Sequence, residues 1–159
     1  MVQFRPATTA DYPAVCDLVT TPHESFLIWP GGHYPWTVDQ IETLAQQRCE
    51  LTMVVEDQQT IGFANLYDYV AQQHAFIGNV VIHPRHRGRG LGRRLVEHML
   101  MLAFDKHRLK EARISAFADN GPALLLYARL GFAPYAVEER KDYLGRRVAL
   151  IHLRIQRPV

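Results

Sequence analysis

Three glycines alternate with arginines in the middle of the chain, and residues of these types at this spacing could bind phosphate. Gly88, Gly90 and Gly92 follow the apolar run 80–82, which predicts a buried strand. A helix is predicted after them by apolar residues at helical spacing, namely Leu91, Leu95, Met99 and Leu102. Glycine lets the backbone approach a phosphate closely, and the free N–H groups of a first helical turn point towards it. The surrounding arginines would attract a multiply charged ligand, and they are Arg85, Arg87, Arg89, Arg93 and Arg94.

The glycine spacing excludes two common phosphate-binding loops. Arg93 stands where the third glycine of G-x-G-x-x-G would fall, and no Lys-Ser or Lys-Thr pair follows to complete a P-loop. The pattern R-x-x-G-x-G, from Arg87 to Gly92, resembles instead the acetyl-CoA pyrophosphate loop of the GNAT superfamily of acyl-CoA-dependent N-acetyltransferases. Two other interpretations of this stretch alone are a glycine-rich connection in an arginine-rich surface helix and a nucleic-acid site.

A second pattern strengthens the resemblance. The GNAT pattern N-x-x-A-x-x-x-Y-x-x-x-G-F is matched by Asn120, Ala123, Tyr127, Gly131 and Phe132. Asn120 opens a predicted helix, Ala123 and Tyr127 share one face of it, and Gly131 predicts its end. Two independent patterns in the expected order favour the superfamily. The similarity covers residues 62–132 well, and the N-terminal third only in the order of its elements.

The resemblance implies how acetyl-CoA would bind. In this family the fourth and fifth strands diverge, and the pantetheine arm lies between them like an extra strand. Backbone groups of Val80, Val81 and Ile82 would pair with that arm, and Asn120 would contact it from the other side. The pyrophosphate would be held by the loop residues Arg87, Gly88, Arg89, Gly90, Leu91, Gly92 and Arg93.

The resemblance also implies a direct attack of a primary amine on the thioester, without an acyl-enzyme. Tyr127 would lie beside the thioester and protonate the departing thiolate, for which a hydroxyl of ordinary pKa near ~10 is suited; the alternative is a ring that only packs. A backbone N–H near Ile82 would stabilise the oxyanion. Many members carry a basic carboxylate on the fourth strand, but Asn79 occupies that neighbourhood and cannot act as a base. Glu24, His74 and ordered water are the substitutes, and we favour Glu24.

The acceptor amine is expected to bind at the segment 24–36, whose prolines, glycines and aromatic residues predict a loop or broken helix. Glu24, Trp36 and Tyr69 are the predicted substrate-binding residues. Aromatic faces with one carboxylate suit a cationic amine. Small polyamines, aminoglycoside-like drugs, amino acids and peptide lysines all remain candidates.

Other classes of function are weighed against this interpretation. The missing strand carboxylate favours a second hypothesis, a catalytically degenerate module that binds acyl-CoA as a sensor or partner, whereas Tyr127 argues for catalysis. A net charge of only +2 argues against a nucleic-acid partner. His83 and His86 lie close in sequence without further ligands, so we expect no metal.

Composition is that of an ordinary globular enzyme. The 159 residues predict a single domain over 1–159. The resemblance implies that this is an N-acetyltransferase domain, acting as a monomer or homodimer on a small-molecule or peptide amine. We expect no membrane association, because no run is long enough to span a bilayer. Cys16 and Cys49 are too few for a disulfide framework and fall in segments that we interpret as helical, which favours reduced thiols in the cytoplasm.

Alternating periodicities predict the elements that position these residues. A strand over 2–5 precedes a helix from Thr8 or Thr9 to about Thr20, and Thr37 caps a second helix to about Arg48. Strands are predicted at 51–56, 60–67, 74–83, 112–118, 137–141 and 147–155, and helices follow the glycine loop and Asn120. The order is typical of an α/β fold, and the resemblance implies a mixed, mostly antiparallel sheet of about six to seven strands flanked by helices.

Overall fold

A seven-stranded sheet forms the centre of the computed structural model, which describes all 159 residues. The strands are β1 (Val2–Pro6), β2 (Cys49–Glu56), β3 (Gln59–Val70), β4 (His74–Ile82), β5 (Glu111–Phe117), β6 (Ala133–Lys141) and β7 (Arg147–Gln156). Their order across the sheet is β1-β2-β3-β4-β5-β7-β6. Neighbouring strands are antiparallel, except that β4 and β5 are parallel. The predicted α/β class with a mixed, mostly antiparallel sheet is confirmed.

Five α-helices cover the two faces of this sheet. They are α1 (Tyr12–Cys16), α2 (Pro22–Ile28), α3 (Val38–Gln47), α4 (Leu91–Met101) and α5 (Gly121–Arg129). The Thr37 side chain accepts a hydrogen bond from the backbone N–H of Gln40 and so begins α3, as the sequence predicts. No helix combines the length and the apolar character that crossing a membrane requires.

Two apolar clusters lie on opposite sides of the sheet, because strand side chains alternate between its faces. On β2, Val54 belongs to the larger cluster, whereas Met53 and Val55 belong to the smaller one. The larger cluster includes buried residues of α4 and α5, and the smaller includes buried residues of α1 and α3. The larger cluster therefore supports the glycine loop and Tyr127.

Several expectations about local structure are wrong. The segment predicted as a loop or broken helix contains the short helix α2 followed by irregular chain, so the second alternative applies. The first predicted helix is cut short at Cys16. Thr21 and Pro22 provide the reason, since Thr21 caps α2 through the N–H of Glu24 and proline is favoured in a first helical turn. Cys49 opens β2 instead of lying in a helix. β6 starts at Ala133, and Pro134 is tolerated there because β6 is an edge strand.

Candidate active site

The glycine loop presents a row of free backbone N–H groups. Gly88 and Gly90 adopt the left-handed φ values of 78° and 75°, which only glycine adopts readily. Gly90 is the N-cap of α4, so the first turn of that helix opens directly from the loop. The N–H groups of residues 88–93 donate to no other group of the protein. This combination of free donors with a helix N-terminus is suited to an anion.

The arginine side chains of the loop, by contrast, already have partners. Arg87 donates its Nε–H to the carbonyl of Ile82 at 2.9 Å and pairs with Glu24 at 2.7 Å, which joins the loop to β4 and to α2. Arg89 pairs with Glu56, and Arg93 pairs with Glu97. The loop therefore offers its backbone, more than its side chains, to a ligand.

The central strands β4 and β5 diverge beside this loop. They pair only from His74 to Ile77 on β4, and the second half of β4 has no partner on the side of β5. On its other side, Val81 pairs with Phe63 of β3. Val80 lines the cavity that opens at the divergence, while the side chains of Val81 and Ile82 are buried in the two apolar clusters. An extended ligand could thus add to the free edge of β4.

Tyr127 is presented to this cavity by α5. The Asn120 side chain caps the helix by accepting from the N–H of Ala123 at 3.4 Å, and Asn120, Ala123 and Tyr127 all line the cavity. Tyr127 is only 6% exposed, and its hydroxyl makes no hydrogen bond within the protein. Burial, together with the neighbouring Tyr67, raises the pKa of Tyr127 above its ordinary value. The hydroxyl therefore keeps its proton at neutral pH, and the raised pKa makes it a weaker acid than the tyrosine of ordinary pKa that was expected from the sequence.

The cavity has a volume of about 740 Å³ and extends from the diverging strands to α2 and α3. A network of side chains crosses its floor. Arg48 donates to Oδ1 of Asn65 at 3.1 Å and to Oδ1 of Asn79 at 2.7 Å, and Asn65 also donates to Asn79 at 2.7 Å. The Asn79 amide donates in turn to the carbonyl of Ile28 at 3.1 Å. Asn79 thus has a structural role here, at a left-handed φ of 52° in β4.

The residues predicted to bind the acceptor are not brought together. Glu24 faces Arg87 and is not among the residues that line the cavity, and its Oε1 is buried without a partner. Trp36 is buried, with its Nε1–H donating to Ser25 at 2.9 Å, and Trp29 lines the cavity in its place. Tyr69 lies in an adjoining shallow depression, with its ring against His107. The depression shares Arg48, Tyr67 and Asp68 with the cavity.

Sequence reasoning missed Arg48 and the glycine beneath it. Gly78 lies inside β4, and a Cβ atom there would be 2.5 Å from Nη1 of Arg48 and 2.6 Å from Cδ1 of Tyr67. A glycine within a strand often marks such a close approach. That signal is present at Gly78 in the sequence and would have pointed to a group packed over the strand.

Comparison with known proteins agrees with this geometry. The model of the acetyltransferase (GNAT) family matches residues 12–132. A phosphinothricin N-acetyltransferase of Streptomyces viridochromogenes is 29% identical over 142 residues, which cover 82% of this chain and 74% of the relative. A spermidine N-acetyltransferase from Vibrio cholerae, solved with CoA and spermine, has a TM-score of 0.83 at 19% identity, covering 98% and 95% of the two chains.

A third protein has the same fold with a different acceptor. The ribosomal-protein-S18-alanine N-acetyltransferase from Escherichia coli has a TM-score of 0.76 at 22% identity, covering 100% of this chain and 96% of its own. The matched family model spans both sequence patterns, from the glycine loop to Phe132. The family and enzyme class that the sequence predicts are therefore confirmed, and the chain belongs to the GNAT family of acetyltransferases.

Proposed function

We propose that the chain transfers an acetyl group from acetyl-CoA to a primary amine by direct attack within a ternary complex. The observation that carries this proposal is the Tyr127 hydroxyl, which lines the cavity between β4 and β5 without a hydrogen-bond partner in the protein. Because this hydroxyl opens onto the cavity, a ligand bound there could accept its hydrogen bond. The thioester sulfur is the group that this hydroxyl would meet.

The residues present fit acetyl-CoA. The free N–H groups of residues 88–93 would hold the pyrophosphate, and the open space around Gly88 and Gly90 leaves room for it. The free edge of β4 at 80–82 would pair with the pantetheine amides, and Asn120 would contact them across the divergence. Acetyl-CoA supplies the activated acetyl group.

The transfer is balanced by simple proton movements. The amine nitrogen forms a bond to the acetyl carbon, the carbon–sulfur bond breaks, and the electron pair of that bond leaves with the sulfur. After the attack the nitrogen carries a positive charge, and it gives one proton to water in the cavity to become the neutral amide nitrogen. Tyr127 gives its proton to the thiolate and recovers one from this water. A backbone N–H near Ile82 would stabilise the oxyanion while it exists.

The acceptor must lose a proton before it attacks, because free alkyl amines have pKa values near ~10.4. Asn79 has no basic group, and Glu24 is held by Arg87 at 2.7 Å. We assign this deprotonation to water in the cavity, which is large enough to hold it, and keep Glu24 as the residue that positions Arg87. Relatives with acceptors as different as phosphinothricin and spermidine support an amine acceptor without selecting one.

A thiol-release assay with acetyl-CoA and a panel of primary amines tests the proposal. We expect amine-dependent release of CoA, with both substrates required before any product forms. Saturable acetyl-CoA binding without turnover on any amine or lysine peptide would favour the sensor or partner module instead. A stable acetylated protein that an amine then deacetylates would contradict direct transfer.

A further inference from the structure

Arg48 is a positively charged group on the cavity wall that no carboxylate neutralises. Its Nη1 donates to the amide oxygens of Asn65 and Asn79, and both of these partners are neutral. The guanidinium forms no ion pair, and its Nε and Nη2 donate to no protein group. Arg5 and Arg140, by contrast, each pair with an acidic side chain. A half-buried charge left in this state is unfavourable in the free protein.

The guanidinium is held firmly in place. Its Cζ lies 4.2 Å from the centre of the Tyr67 ring, a distance suited to a cation–π contact. Beneath both groups lies Gly78, where any side chain would displace one of them. The carbonyl of Ile28 fixes Asn79, and Asn79 fixes Arg48 from the opposite side. An arginine ordered in this way loses little entropy when it binds a ligand.

Other charges of the cavity form no ion pair with Arg48. Asp39 and Asp68 line the cavity and are exposed. Burial lowers the pKa of Arg48, and the charge of Asp68 opposes this effect only in part. Arg140 also lines the cavity and is exposed, and it already pairs with Glu138 at 2.9 Å. The fixed charge deep in the cavity is therefore the positive charge of Arg48. Because Tyr127 lines the same cavity, an acceptor placed for transfer lies within reach of this charge.

We propose that the acceptor is a primary amine that also carries a carboxylate, the chemical class of an amino acid, and that Arg48 binds the carboxylate. This inference rests on the proposed acetyl transfer. A planar guanidinium with free donors matches the two oxygens of a carboxylate, and such charged pairs are strong and directional. The apolar wall formed by Ile28, Trp29 and Phe117 would take the remaining side chain of the substrate. A polyamine would instead bring further positive charge to Arg48.

Matched pairs of substrates test this proposal. We would measure kcat/KM for L-leucine against L-leucinamide and for L-phenylalanine against L-phenylalaninamide, with putrescine as a cation. For each pair, kcat/KM for the acid is divided by kcat/KM for the amide. This ratio is compared between the wild-type protein and each variant, because the comparison cancels differences in amine basicity. We expect the ratio to fall by ~10- to 100-fold in Arg48→Gln, mainly through KM, because a charged hydrogen bond is lost. Arg48→Lys should keep an intermediate ratio.

Arg140→Gln is the matched control, since it removes the charge of another arginine that lines the cavity. This variant should keep the wild-type ratio, and both variants should keep the wild-type affinity for acetyl-CoA. An unchanged ratio in Arg48→Gln, or putrescine as the best acceptor, would overturn the proposal. If the ratio fell in Arg140→Gln but not in Arg48→Gln, the substrate carboxylate would bind Arg140, and this result would also overturn the proposal.

Calorimetric titration of the same amines into the CoA complex separates this proposal from the proposed function. Suppose that L-leucine or L-phenylalanine binds, that Arg48→Gln abolishes this binding, and that no amine is turned over. This result would support the carboxylate site and exclude acetyl transfer. Turnover on amines without any preference for the acids would support acetyl transfer and remove the carboxylate site. If neither binding nor turnover were observed, both the carboxylate site and acetyl transfer would be excluded.

Discussion

Phe132 donates its backbone N–H to the carbonyl of Tyr127 over 3.0 Å, and the two aromatic rings meet edge to face with their centres 6.0 Å apart. Gly131, at a φ of 102°, donates to Ala128 at 3.1 Å and completes a Schellman motif. The main chain and the ring contact therefore both hold Tyr127. Its hydroxyl is not needed to keep the ring in position.

Tyr127→Phe should separate chemistry from structure. If Tyr127 protonates the thiolate, kcat should fall by ~10² or more, because general acid catalysis contributes about 10²–10⁴. The KM for the amine, the affinity for acetyl-CoA and the melting temperature should stay close to wild type, since the ring is retained. Tyr143→Phe, at an exposed tyrosine in the turn before β7, is the control and should keep full activity. Near-wild-type turnover of Tyr127→Phe would mean that water protonates the thiolate.

Gly90→Val should abolish acetyl-CoA binding. The substitution places a branched side chain on a residue with left-handed backbone conformation, beside the free N–H groups at the start of α4. Gly145→Val is a matched control, because Gly145 has a φ of 79° and a Cβ atom added there would likewise have no atom within 4 Å. Both variants should lose about 1–2 kcal/mol of stability through backbone strain. Calorimetry should find acetyl-CoA binding lost only in Gly90→Val, and equal affinities would show that the loop does not hold the ligand.

Gly78→Ala should disturb the Arg48 site without touching Tyr127. The new methyl group would overlap Arg48 and Tyr67, so one of them must move, at a cost of about 1–3 kcal/mol in folding free energy. Gly121→Ala is the control, since nothing lies within 4 Å of a Cβ there. Denaturant titration measures both effects. If Gly78→Ala had the same free energy of unfolding as Gly121→Ala, Arg48 would not pack against β4 at Gly78.

Asp11 should link stability to acid pH. Hydrogen bonds from Arg5, both 2.8 Å long, lower the pKa of Asp11 from 3.8 to about 2. A lowered carboxyl pKa means that this stabilisation is complete above about pH 4 and is lost as the pH falls towards 2. Asp11→Asn should cost about 1 kcal/mol at pH 7, after allowance for solvent screening, and its stability should depend less on pH in that range.

A double-mutant cycle checks the assignment of this effect to the pair. Arg5→Gln should flatten the same part of the pH profile, and the two substitutions together should cost less than the sum of the single ones. Additive losses would show that Arg5 is not the cause of the lowered pKa of Asp11.

The two thiols should be dispensable for transfer. Burial raises the pKa of Cys16 and of Cys49, which disfavours the nucleophilic thiolate, and neither residue lines the cavity of Tyr127. The Cys16→Ser/Cys49→Ser variant should therefore keep kcat within about twofold of wild type, and intact-mass measurement should find no acetyl adduct on either protein. Loss of turnover with an adduct in the wild type would indicate a covalent relay.

The parts that local chemistry determines were predictable. Gly88, Gly90 and Gly131 adopt positive φ, a conformation that glycine takes without the steric cost that a Cβ atom brings. Gly62 lies inside β3, where a glycine often marks a close approach, and a Cβ there would lie 2.9 Å from the carbonyl oxygen of Val81. Each of these expectations depends on one residue and its immediate neighbours.

The Arg48 site depends on contacts between residues that are distant in sequence. Arg48, Asn65 and Asn79 meet only after β3 and β4 pair and after Asn79 takes a left-handed conformation that its residue type permits but does not require. The position of Trp36 was missed for a related reason. Its indole packs into the smaller cluster and donates to Ser25, and Trp29 lines the cavity. Nothing in the sequence pattern distinguishes the two tryptophans.

The ion pair between Glu24 and Arg87 has a consequence for how the two substrates meet. It connects the helix beside the acceptor with the loop proposed to hold acetyl-CoA, although 63 residues separate the two side chains in sequence. A ligand anion that draws Arg87 away leaves the Glu24 carboxylate without its only partner, so α2 must adjust its position. By thermodynamic linkage, each substrate then changes the affinity for the other by the same factor. A single side-chain contact thereby couples the two binding sites, so that the affinity for either substrate depends on whether the other is bound.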